Sequence, residues 1–141
     1  MKNIMLITCI LVSTILIAGC SSSKMAARAQ RPLYEKTWML GYINGKKVES
    51  TDGKTPQLQF LKAEGKVTGN TGCNSMNGSF SISDEGGLKF GALATTKMAC
   101  LGPNLENVFT AVINRTNRFA VSNTTLLLYD NESLLAIFSA Q

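Results

Sequence analysis

The chain has 141 residues, with 14 basic and 9 acidic side chains, no histidine and a net charge of +5. Hydrophobic residues make up 45%, enough for one buried core and too many for a disordered chain. Without histidine the chain lacks the commonest catalytic base and zinc ligand, and its basic excess has no Arg-rich helix or aromatic platform beside it. No metal, no cofactor and no nucleic acid is therefore expected.

Residues 1–19 place Lys2 ahead of an apolar run from Ile4 to Ala18. That run falls short of the roughly 20 residues that a permanent membrane helix needs, and its charged start and small-residue end predict a secretory signal. The ending Leu16-Ile17-Ala18-Gly19-Cys20 resembles the bacterial lipobox, which implies cleavage before Cys20 and acylation of its sulfur. Cys9 would leave with the signal. Serines follow Cys20 where a retention aspartate would stand, so the expected location is the bacterial envelope, anchored in the outer membrane and facing the periplasm. Residues 20–36 carry little apolar content and predict a flexible tether, with a single domain over residues 37–141.

Trp38 to Ile43 is rich in strand formers and ends at Asn44-Gly45, a strong hairpin dipeptide. Gln57 to Leu61 alternates after Pro56, and Gly65 separates it from Lys66 to Gly69. The stretch GNTGCNSMNGSF then crowds glycine and asparagine around Cys73, predicting a sharply turning corner at Gly69, Gly72, Asn74, Asn77 and Gly78. Ser79 to Ser83 puts Phe80 and Ile82 on one face, and Leu88 to Phe90 follows a turn at Asp84 to Gly87. Leu105, Val108, Phe109 and Val112 recur at helical spacing, with Thr116 on the same side, predicting an amphipathic helix from Pro103 to Thr116. Thr125 to Tyr129 and Leu134 to Phe138 flank a short turn and predict a closing hairpin. The fold class that follows is a β-rich α+β domain. It is a curled, mostly antiparallel sheet or partly closed barrel of about eight strands, with one amphipathic helix packed on it.

Cys73 and Cys100 remain in the secreted domain. Outside the cytoplasm such a pair is expected to form a disulfide, closing a loop of about 27 residues worth around 3.5 kcal/mol. Two free buried thiols are the remaining reading, since spacing in sequence cannot place two Cα atoms. A thiol nucleophile would need a base that the chain does not offer.

The series Trp38, Leu58-Gln59-Phe60, Gly72-Cys73-Asn74, Asn77-Gly78 and Thr95-Thr96-Lys97-Met98-Ala99-Cys100, followed by Glu106 and Phe109, resembles the META domain of the HslJ-like family. The resemblance covers residues 37–139. It implies a small secreted or membrane-anchored β domain, heat-stress associations and no catalytic set to carry over.

The function expected is a non-enzymatic, monomeric lipoprotein held to the membrane by acylated Cys20 and acting through an unknown envelope protein, in stress tolerance or assembly. The alternative is a carrier of an acyl chain or apolar peptide between sheet and helix, lined by Phe60, Phe80, Phe90 and Phe109. Asp84, Glu85, Asp130 and Glu132 are the closely spaced acids, and all fall in turns, where solvation explains them better than acid–base work.

Overall fold

The structure is a computed structural model that describes residues 29–49, 54–83, 85–99 and 105–141. Cys20 and the signal region, Asp84, Cys100 and Pro103 lie outside the described residues.

A short helix α1, Arg31–Tyr34, precedes β1, Thr37–Ile43. Pro32 suits the first helical turn, and Leu33 is fully buried beneath Trp38, whose indole Nε1 donates to the Leu33 carbonyl at 3.0 Å. The last residues of the expected tether thus pack into the domain, because Leu33 supplies apolar area that the sheet would otherwise leave uncovered. Asn44 and Gly45 take φ values of 48° and 75° and turn β1 into the two-residue β2, Lys46–Lys47. This is the twist-matched hairpin that the dipeptide predicts.

The sheet continues through β3, Gln57–Leu61, β4, Lys66–Asn70, β5, Ser75–Ile82, and β6, Leu88–Thr95. Helix α2, Leu105–Arg115, leads to β7, Arg118–Val121, β8, Thr125–Asp130, and β9, Ser133–Ala140. All pairings are antiparallel, in the spatial order β6-β5-β4-β3-β1-β9-β8-β7, with β2 beside β1. The two ends of this path meet at one bridge, Gly87 to Arg118, where the Leu88 amide donates to the Asn117 carbonyl at 3.0 Å. The sheet is therefore a curled half-barrel, joined at one point and otherwise open between β6 and β7.

Alternation decides which side chains enter the core. Trp38 and Leu40 of β1, Leu58 and Phe60 of β3, Leu126 and Leu128 of β8, and Phe138 of β9 all point inward and are buried. Helix α2 covers them with Phe109, Val112 and Ile113. Phe109, Val112 and Thr116 are buried as the spacing predicts, but the stripe is rotated at its edge: Val108 is 40% exposed, while Ile113 is buried.

The glycine-rich corner is also narrower than its composition predicts. Gly69 lies in β4, and Asn77 and Gly78 lie in the middle of β5, paired with Ala94 and Leu93 of β6. Gly78 is needed for closeness. A Cβ there would come within 2.8 Å of the Ala92 carbonyl and collide with the Leu93 side chain, which crosses over it.

Candidate functional site

The turn itself is residues 71–74, and Asn74 is its centre. Thr71 and Asn74 are both buried. The Thr71 amide donates to the Asn74 carbonyl at 2.8 Å, and the Asn74 amide donates to the Thr71 hydroxyl at 3.2 Å. The Gly72 amide donates to Asn70 Oδ1 at 2.9 Å, and Gly72 has φ +98°, a conformation that L side chains resist. It also presses against the Pro56 ring, 3.2 Å from where a Cβ would stand.

The Asn74 side chain then reaches two other parts of the chain. Its Oδ1 accepts the Thr96 hydroxyl and the Met98 amide, each at 2.8 Å. Its Nδ2 donates to Glu106 Oε2 at 2.7 Å. Glu106 sits in the first turn of α2, where a carboxylate complements the helix dipole. The Thr96 hydroxyl also accepts from the Ser75 amide at 3.1 Å. One amide thereby joins the β4–β5 corner, the chain leaving β6 and the entry of α2. Among the described residues, no buried side-chain nitrogen or oxygen lacks a partner.

Gly72, Cys73, Asn74 and the Met98 backbone come together here, whereas Asn77 and Gly78 act one strand further along. The Met98 side chain is 55% exposed, Ala99 is exposed, and Cys100 lies outside the described residues. Cys73 is disulfide-bonded, with its partner outside the described residues as well. Thr71 is the corner residue that the sequence reading missed; a threonine three positions before a turn asparagine was its available signal.

The four phenylalanines expected around a pocket all pack in or against one core, where their ring–ring contacts fall into two sets. Phe60 meets Phe80 edge-on at 5.1 Å and Phe90 at 6.0 Å, and Phe80 in turn meets Tyr34 at 6.3 Å. Phe109 packs instead on Phe138 at 6.3 Å. Burial pushes the Tyr34 phenol above its ordinary pKa.

A second polar cluster joins the end of α2 to the β8–β9 turn. Arg115 pairs with Asp130 at 3.0 Å, and Asn117 Nδ2 donates to Asp130 and to the Asn131 side chain, each at 3.2 Å. The Asn131 amide donates to Asn117 Oδ1 at 2.8 Å. Arg118 lies 4.2 Å over the Tyr129 ring and 3.9 Å from Glu132. Beside this cluster runs an open cleft of about 520 Å³ that takes in Ser81, Lys89, Phe90, Asn114 and Arg115. Of the acids noted in the sequence, Asp130 and Glu132 thus meet arginines within this cluster.

An antiparallel half-barrel covered by one main helix, with a Gly-Cys-Asn corner bonded to that helix, defines the class of domain. The META domain family model matches residues 31–141, and the chain belongs to that family. It is similar to the heat shock protein HslJ of Escherichia coli (strain K12), with 32% identity over 95 residues, covering 67% of this chain and 65% of HslJ. The chain therefore spans just under two thirds of that relative's length. Among solved structures it resembles a protein from Burkholderia xenovorans determined by NMR, with a TM-score of 0.65 at 24% identity over 81% of this chain and 87% of the other. It also resembles a duf4847 family protein from Bacteroides vulgatus ATCC 8482, with a TM-score of 0.56 at 16% identity over 79% and 95%. At these identities the likeness is one of fold.

Proposed function

We propose that this chain is a lipid-anchored envelope protein that acts by binding another protein under stress, with no chemistry of its own. The observation that carries the reading is how the motif uses its polar atoms. Asn74 holds Thr96, Met98 and Glu106, so the residues that mark the family are engaged in fixing the fold. Such a motif supports a scaffold whose recognition surface lies elsewhere. The likeness to a protein named for heat shock supports a stress role, and the lipobox at Cys20 supports the anchor.

Cys73 is assigned Cys100 as its partner. Met98, two residues before Cys100, already has its backbone bonded to the neighbour of Cys73. A deletion strain tests the role: survival at elevated temperature should fall and return with the wild-type chain, but not with Cys20→Ala. Unchanged survival in the deletion strain would contradict the stress role. Non-reducing peptide mapping tests the pairing, and a Cys73 found joined to Cys20 or free would overturn it.

A further inference from the structure

Over β1, β9, β8 and β7 the outward side of the half-barrel carries one row of apolar side chains, beside a more polar row of Ser139 and Thr125, where a solvated sheet face is ordinarily polar throughout. Tyr42, Ile137, Leu127 and Ala120 are direct cross-strand partners over β1, β9, β8 and β7. One step along the same face, Leu134 pairs with Tyr129, and Tyr129 pairs with Arg118. Tyr42 and Leu134 are 44% and 45% exposed, high for large apolar groups. No outward position of these four strands is acidic, and the row is flanked by Lys47, the cross-strand partner of Tyr42, and by Arg118, stacked on Tyr129. At its rim, Glu132 stands 3.9 Å from Arg118.

We infer that this face rests on an anionic bilayer surface, an inference that builds on the anchored reading above. A peptide would need a groove or a free strand edge, and the middle of this face offers neither: β9 and β8 each have a strand on both sides. A second copy would set Lys47 and Arg118 against surfaces equally lacking in acids. A lipid interface suits tyrosines with apolar bodies and polar tips, branched aliphatics between them, and flanking cations facing anionic head groups. The chain upstream supplies the proximity. About ten residues separate Cys20 from Arg31, a reach of roughly 35 Å when extended, so an anchored domain meets the surface continually.

The test uses the acylated full chain in vesicles of phosphatidylcholine and phosphatidylglycerol with brominated acyl chains, which quench nearby indoles. Tyr42→Trp adds an indole on the face, and Ser81→Trp adds one on exposed β5, four places from β9 in the sheet. Brominated lipid should dim the added emission of Tyr42→Trp roughly twofold and leave that of Ser81→Trp unchanged, as burial at the acyl boundary requires. Adding Leu134→Ser with Ile137→Ser should abolish the difference, and neutral vesicles should weaken it. Equal quenching of the two variants, or none in either, overturns the inference while leaving the anchor intact. A chain that fails to float with vesicles contradicts the anchor as well. A detergent-solubilised dimer that Leu134→Ser dissociates would assign the face to a second copy instead.

Discussion

The two polar clusters use similar residue types to opposite ends. At the Asn74 corner a buried amide holds three segments distant in sequence, through part-buried hydrogen bonds of 2.7–2.8 Å. At the Asn117 cluster an exposed set of amides and ion pairs holds neighbouring turns together. A buried group deprived of its partner bears its full desolvation cost, whereas an exposed one turns to water. The corner should therefore govern stability, and the exposed cluster should only adjust it.

The comparison can be broken in several places. The largest effect is expected at the corner's covalent link: Cys73→Ser should lower unfolding stability by about 3 kcal/mol in urea titrations under non-reducing conditions. Next, Glu106→Ala removes the carboxylate that receives the Asn74 amide and should cost about 2 kcal/mol, with little change between low and high salt. In the exposed cluster, Asp130→Ala should cost only about 0.5 kcal/mol, and that difference should fade in concentrated salt. If Asp130→Ala costs as much as Glu106→Ala, the ranking of the two regions is wrong. Tyr34 lies outside both and gives a pH marker. Its phenol is held above the ordinary value by burial, so its contribution is present below about pH 10 and is lost as pH rises through the folded value. Tyr34→Phe should flatten that alkaline loss in a pH series of unfolding midpoints.

What could be read in the sequence follows from the same physics. Strands with alternating large apolar residues, such as Gln57–Leu61 and Thr125–Asp130, announce themselves because each inward position must fill the core. The far half of β6, Gly91 to Thr95, does not, since glycine and alanine have little strand preference and pairing with β5 alone holds them there. Strand β7 was missed because four residues with mixed burial give no period to detect. Asn77-Gly78 looks like a turn dipeptide yet lies mid-strand, because close packing under Leu93 required the glycine. At the corner, residue types indicated a turn and a sulfur link. The reach of Asn74 to Glu106, 32 positions away, depends on tertiary placement that no local pattern encodes.

The most direct measurement is the thermal unfolding of Asn74→Ala beside a heat-survival assay of the same variant. A structural hub predicts a melting temperature lower by about 10 °C, with survival falling in proportion to the folded fraction. A variant that melts like the wild type yet fails to protect would show that Asn74 is part of the recognition surface, and the account of the motif as scaffold would be wrong.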